Sequence, residues 1–299
     1  MGVIDLFPFL DEFECLTIRL HELAHQVDYH VAIESPVTFQ GGARKIALAG
    51  KRLRNYQHLA RYLRGEEPGQ GAERLQVIRV PAPLAAMEPF ALERQQFDYG
   101  MYDGPLLRWE IIASDLVMIS AADEIPRAAR VREAVAYLRE TAQTGAARAV
   151  LFGMPLHYYW LNCQSSAGVW WGTRMAFARD VHTTWNGSLY TLRLSADGLR
   201  LTDAGWHFSY LSGAAPDGIA RIQRKLAAYG HSQYNVAPLN TAEHLRQCID
   251  RGLDPFVRGD MYRRVPIDET YPLCVREGVA AGGEYAPFVW AETMRGTHR

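Results

Sequence analysis

The run Leu116-Val117-Met118-Ile119-Ser120-Ala121-Ala122-Asp123-Glu124-Ile125-Pro126 constrains this 299-residue chain more than any other stretch. Four apolar residues, two of them β-branched, lead without a break into small residues, a carboxylate pair and a proline. A continuous apolar run of this kind predicts a strand buried on both faces, as in a parallel sheet covered by helices. Pro126 cannot continue a central strand, so the strand is expected to end near Ser120. Asp123 and Glu124 are then expected in the loop just past its carboxyl end, the edge where open α/β sheets bind ligands. Two adjacent acids are costly there unless they hold a cation or a substrate hydroxyl, or face water.

The rest of the chain builds a layered α/β molecule around that strand. Val3 to Phe9 forms a first strand. From Asp11 the spacing turns helical, with Phe13, Leu16, Leu20, Leu23 and Val27 on one stripe, and Tyr29 to Glu34 alternates as a second strand. Glu34 to Arg44 leaves as a loop marked by Pro36 and the Gly41-Gly42 pair, in which Arg44 or Lys45 can face a phosphate. Lys51 to Arg64 reads as a basic helix and Gly65 to Gly71 as a turn. Leu75 to Val80 reads as a strand, and Pro89 to Met101 as a helix carrying Glu93 and Gln96. A further helix runs from Pro126 to Thr144, with Val131, Val135, Leu138 and Ala142 on one face and Gly145 as its stop. Ala149 to Phe152 is another short strand. Beyond Pro155 aromatics are dense (His157-Tyr158-Tyr159-Trp160, Val169-Trp170-Trp171), Ser188 to Ser195 alternates like an antiparallel strand, and Gly205 to Tyr210 follows. Helices are expected from Gly218 to Tyr229, and from an Asn240 cap with Glu243 three residues on to Gly252. No repeat or linker divides the sequence. The expectation is one domain over 1–299, with a parallel first half (1–150) and an aromatic-rich mixed second half (151–299).

Composition excludes several classes. Hydrophobic residues make up 48% and charged residues 22%, as in a soluble globular protein. A net charge of −1 lacks the basic excess of a general nucleic-acid binder. Cys15, Cys163, Cys248 and Cys274 are widely separated with no C-x-x-C pair, which fits a reducing compartment. No stretch approaches the roughly 18–20 apolar residues of a membrane span, and no leader is readable, so a cytoplasmic protein is expected.

Two motifs compete for a metal. His21-Glu22-Leu23-Ala24-His25 is a literal H-E-x-x-H, the helical zinc site of a hydrolase, yet no third ligand follows it, and both histidines also suit a solvated flank. The other candidate pairs Asp123 with the late His207, an oxygen and an imidazole suited to Mn²⁺ or Mg²⁺. A cation there neutralises charge building on a diphosphate leaving group, the chemistry of a nucleotide-sugar transferase. Asp123 and Glu124 also suit a helix N-terminus, and His207 a hydrogen-bonded core position. Tyr158, Trp170, Trp171 and Trp206 are candidates to stack on an acceptor sugar, or equally to fill a core.

Collinear segments between about residues 5 and 260 resemble glycosyltransferase family 17, the β-1,4-mannosyl-glycoprotein 4-β-N-acetylglucosaminyltransferases. They are Asp5-Leu6-Phe7-Pro8-Phe9 with Glu12, Leu16, Arg19 and Glu22-Leu23; Glu34-Ser35, Thr38-Phe39 and Gly41; Asp123-Glu124-Ile125-Pro126; and Gly205-Trp206-His207. Smaller matches are Glu93 with Gln96, Tyr159 with Leu161-Asn162, Trp171-Gly172, and Gly252-Asp254-Phe256-Arg258. The resemblance implies an inverting transferase of GT-A-like (Rossmann-like) fold that takes N-acetylglucosamine from UDP-GlcNAc to a saccharide hydroxyl with a divalent metal, usually Mn²⁺. It implies that Glu34, Ser35, Arg44, Glu93, Gln96, Ala121 and Asp123 surround the donor and that Asp123 and His207 hold the metal. The chain departs from the pattern at Ala121, where the first Asp of D-x-D is expected, and at Phe97, where an Arg commonly stands. Inversion needs a general base for the acceptor hydroxyl, with Asp203, Glu124 and Asp180 as candidates. A non-catalytic nucleotide-sugar or glycan binder on the same fold is the alternative.

Overall fold

The computed structural model describes residues 2–48, 59, 75–102, 111–144 and 148–291. The expected helix over Lys51 to Arg64 (Leu59 apart), the turn at Gly65 to Gly71 and the Gly145 stop lie outside the described residues.

The described strands form one mixed sheet flanked by helices. Its first part is parallel: β1 (Val3–Pro8) pairs with β2 (Tyr29–Glu34) on one side and β4 (Leu116–Ile119) on the other, and β2 pairs with β3 (Leu75–Arg79). Beyond β4 the sense changes. β7 (Cys163–Phe177) runs antiparallel to β4 and to β6 (Ala149–Tyr158), and the sheet continues through β9 (Gly205–Ser209) to the short β5 (Glu124–Pro126). The expected burial of β4 on both faces is met: Val117 and Ile119 enter one apolar cluster with Ile4, Leu6, Val31 and Ile33, while Leu116 and Met118 enter another with Val131, Leu138 and Phe152. A period of two hands alternate side chains to opposite layers.

Helix α1 (Phe13–Leu23) is buried almost all round, against the sheet and against the later helix Leu273–Ala280. The helix Pro89–Tyr102 packs on β2. The helix Ala128–Thr141 covers the other face with Val131, Ala134 and Leu138.

Three local expectations are corrected. Pro126 does stand in a strand, but β5 is an edge strand, where a missing N–H is tolerated, so Glu124 is paired to β9 rather than looped. Ser188 to Ser195 is not a strand: Leu189–Leu194 is a helix, with Leu189 and Leu192 buried at helical spacing and the Ser188 hydroxyl accepting from Thr191 N at 3.0 Å. The cap of the helix Ala242–Arg251 is Thr241, which accepts from His244 N, whereas the Asn240 amide bonds Asn235. Gly252 does close that helix, in the left-handed conformation at φ +62°.

Candidate active site

A single strand pairing assembles the centre of the site. In the β5–β9 ladder Glu124 stands opposite His207, and in the β6–β9 ladder Leu156 stands opposite His207 and Tyr158 opposite Ser209. Paired residues share a face, so Glu124, His207, Ser209, Leu156 and Tyr158 all point into one cleft of about 300 Å³. Phe208 N donates to Asp123 O at 2.9 Å and ties the Asp123 turn to the same strand.

The residues between face the other way, which settles the position of Trp206. It pairs with Ile125, lies in the apolar cluster with Ile18 and Phe208, and is covered by the Arg127 guanidinium 4.4 Å from its ring. Of the four aromatic candidates, Tyr158 and Trp170 line the cleft. Trp171 packs against the cluster around β1 and β2 instead.

Asp123 is buried and ionised. Its Oδ1 lies 3.6 Å from His207 Nε2, and its Oδ2 accepts from Lys225 Nζ at 2.5 Å. Burial opposes its charge, but the Lys225 ammonium and His207 outweigh that and hold the carboxyl far below the usual range. Glu124 is equally committed. Arg193 reaches its two oxygens at 2.6 Å each, Trp170 Nε1 donates at 2.7 Å and Ala121 N at 2.9 Å. Against the cost of burial, Arg193 brings its pKa down to about 2. Gly172 is required beside it, because a Cβ there would overlap both the Glu124 carboxylate and the Trp170 indole nitrogen.

The turn carrying these acids hangs on Arg19, a fully buried guanidinium on α1. It is fixed by Asp5 of β1 through Nε at 2.7 Å and through Nη2. It then donates to Ala121 O at 3.1 Å, Glu124 O at 2.7 Å and Ser120 Oγ at 2.5 Å. His30 Nδ1 lies 2.8 Å from Asp5 Oδ2, the oxygen that also accepts from Arg19 Nε.

Arg44, Glu93, Gln96 and Ala121 also line the cleft. Glu34 and Ser35 do not line it. Glu34 turns back to accept from Ala47 N and Leu48 N at 2.7 and 3.2 Å and stands 3.6 Å from Arg44, whereas Ser35 Oγ accepts from Val37 N. Lys45 is exposed and away from the cleft. Glu93 has no hydrogen-bond or ion-pair partner among the described residues. Burial, aided by the Glu124 charge and opposed by Arg193, pushes its carboxyl up to about 7.

Of the three acids put forward as a base, two lie elsewhere. Asp203 is 66% exposed in a turn at φ +49° and pairs with Arg127 at 2.9 Å. Asp180 is on the helix Ala178–Thr184, beside a separate surface groove near Leu138 and Thr141. The H-E-x-x-H segment forms no site: His21 and His25 are exposed, and Glu22 accepts from Ala128 N at 2.8 Å, at the start of the helix Ala128–Thr141. Among the described residues no group of three His, Cys, Asp or Glu side chains is placed to hold a metal, either at the H-E-x-x-H segment or around Asp123 and His207.

Several cleft residues were not singled out from sequence: Arg193, Lys225, Tyr210 and Tyr234; Glu12 and Phe256 were named there only as matches to the family pattern. Two cations carried a readable signal. Arg19 falls one turn from Leu16 and Leu23, and Lys225 one turn from Ile222, so each is a charge on an apolar stripe.

Asp123 and His207 fit a divalent cation as two of its ligands. Their facing atoms, Asp123 Oδ1 and His207 Nε2, are 3.6 Å apart, too far for a hydrogen bond. Hard oxygen plus one imidazole suits Mn²⁺, with remaining positions left to phosphate oxygens and water.

No curated protein matches the sequence. Two solved structures show weak likeness: S. aureus TarS residues 1–349, at 11% identity and TM-score 0.39, and the mannose-6-phosphate isomerase from Helicobacter pylori, at 10% identity and TM-score 0.31. The alignments cover 76% and 62% of this chain, and 64% and 76% of those chains respectively, so the chain spans under two thirds of the TarS structure. Likeness at that level carries no argument. The family comparison is of another order, because residues 2–262 match glycosyltransferase family 17, a span that holds β1, the Asp123 turn, Arg193, His207 and Lys225. The chain belongs to glycosyltransferase family 17.

Proposed function

We propose that the enzyme transfers N-acetylglucosamine from UDP-GlcNAc to a saccharide hydroxyl with inversion, on a GT-A-like scaffold formed by the chain as one domain. The observation that carries this reading is the meeting of Asp123 with His207 in a cleft that Arg44, Arg193 and Lys225 also line. Asp123 and His207 would hold Mn²⁺ or Mg²⁺, which when bound supplies charge to the departing diphosphate. Arg44 lies at the cleft wall beside Phe9 and Thr38, suited to the nucleotide end. Tyr158, Tyr210, Tyr234 and Phe256 form an aromatic wall of the cleft, with Tyr234 stacked on Phe256 at 4.2 Å, suited to a pyranose face.

The base is reassigned. Glu12, Asp123 and Glu124 are spent on ion pairs, whereas Glu93 has no such partner among the described residues and is poised near neutrality, the condition for taking a proton from an acceptor hydroxyl. Gly230 leaves it room, since a Cβ there would come within 2.8 Å of Glu93 Oε2. Action in the cytoplasm is the companion proposal, supported by four cysteines that are all free thiols.

UDP with Mn²⁺ at about 100 times its Kd should raise stability by about 2.7 kcal/mol, read as a higher Tm. UDP release from UDP-GlcNAc should follow when a saccharide acceptor is supplied. No Tm shift at millimolar UDP and Mn²⁺ would overturn the nucleotide site. Binding without UDP release across an acceptor panel would favour the non-catalytic binder, a reading that Ala121 keeps open.

A further inference from the structure

Lys225 is a buried ammonium on the helix Gly218–Ala228, with its side chain 17% exposed. Burying an ammonium is costly, so its partners should say what it is for. Nζ donates to Asp123 Oδ2 at 2.5 Å and stands 3.2 Å from Glu12 Oε1. An ammonium has three donors, and these two carboxylates account for two. Nζ also lies 5.5 Å from the centre of the Tyr210 ring, and Lys225 lines the cleft beside Asp123 and His207. The helix is braced as a rigid base: Gln40 Nε2 donates to Leu226 O at 2.7 Å and Tyr229 O at 2.8 Å, and Arg221 pairs with Glu14 at 2.8 Å.

Asp123 is thus a shared anchor. One oxygen faces His207 and the proposed cation, while the other is already held by a cation that belongs to the protein. At position 121 the chain has Ala, so no further acid from that position competes for the ammonium.

We propose that Lys225 contacts the diphosphate of the donor directly, as a resident cation beside the metal position, and that it gives the cleft a preference for nucleoside diphosphate over monophosphate without any metal. The inference rests on the UDP-GlcNAc reading above and names a residue for the leaving group of that reaction.

The test is calorimetric titration of UDP and of UMP into the wild-type protein, K225M and K225R, each in EDTA and in Mn²⁺. Both ligands carry the same nucleoside, so the ratio of their affinities within one protein isolates the second phosphate from any general loss of binding. The wild type should prefer UDP by 10-fold or more in EDTA. K225M should lose that preference in EDTA and keep only the part that Mn²⁺ restores, and K225R should retain most of it. Equal affinities for UDP and UMP in the wild type in EDTA would overturn the proposal, whether or not K225M folds. So would a K225M ratio equal to the wild-type ratio, which would leave Lys225 as a brace for Asp123. No UDP binding by the wild type in either condition would sink the nucleotide-sugar reading itself, whereas UDP binding confined to Mn²⁺ would remove only the role given to Lys225.

Discussion

Arg19 and Glu93 show how differently two buried charges can be used. Arg19 does not itself line the cleft, yet it carries three contacts of the turn that presents Asp123 and Glu124. Truncating one member of a buried ion pair leaves the other charge unpaired and costs about 3–5 kcal/mol. R19M should therefore lose stability on that scale in a urea titration, and should weaken UDP binding even where it folds. Glu93 is the opposite case, a carboxyl that burial holds near 7 with no cation bonded to it among the described residues. As a base it must be ionised, so kcat/KM should fall as pH drops below about 7. E93Q should lose that limb together with roughly 10²–10⁴ in rate. The stability effect has the reverse sense. A folded pKa above the ordinary 4.5 means that stability is complete below that value and is lost as pH rises through about 7, so E93Q should melt higher than wild type in alkaline buffer.

At the level of elements, the cleft is the product of three strands, β5, β9 and β6, and the hairpin of β6 with β7 that closes over them. Two glycines make this closeness possible. Gly205, at φ +155°, lies where a Cβ would meet the backbone carbonyl of Ile125 in β5, and Gly172 yields its side-chain space to Glu124. G172A should force the Glu124–Arg193 pair apart. Overpacking costs typically about 1–3 kcal/mol, and the change should appear as a lower Tm together with an altered Trp170 fluorescence spectrum. An unchanged spectrum and Tm would mean that the hairpin moves away at little cost. The helix Leu189–Leu194 matters in the same way, because it delivers Arg193 to Glu124, and the Ser188 hydroxyl at its start is itself bonded to Asp98 at 3.0 Å.

For the whole molecule, the buried acids set the response to pH. Asp5 and Glu124 are each held at about 2 by Arg19 and Arg193, from ordinary values of 3.8 and 4.5. Groups with lowered folded pKa values contribute stability above their unfolded pKa, and it is lost as pH falls through the folded one. Stability should thus hold down to about pH 4.5 and decline toward pH 2, by on the order of a few kcal/mol for each group. Circular dichroism across that range would check this, and R193M should start its acid transition from lower stability with a shallower slope. Equal slopes would mean that Glu124 does not draw its acidity from Arg193.

The sequence by itself determined the layered α/β character, the doubly buried β4 and the β-α-β opening. These follow from periodicity, from proline's missing donor and from motif spacing, all of which act over a few residues. Glu22 and Ser188 show where that reasoning stops: a zinc-like pentapeptide became a bond to Ala128 N, and an alternating octapeptide became a helix held by Asp98. What only the tertiary structure decided is which acids stay free. Glu124 met Arg193, Asp123 met Lys225 and Asp203 met Arg127, leaving Glu93 uncommitted among the described residues. Pairing between distant residues depends on sheet register and helix placement, and those are set by packing across the whole chain.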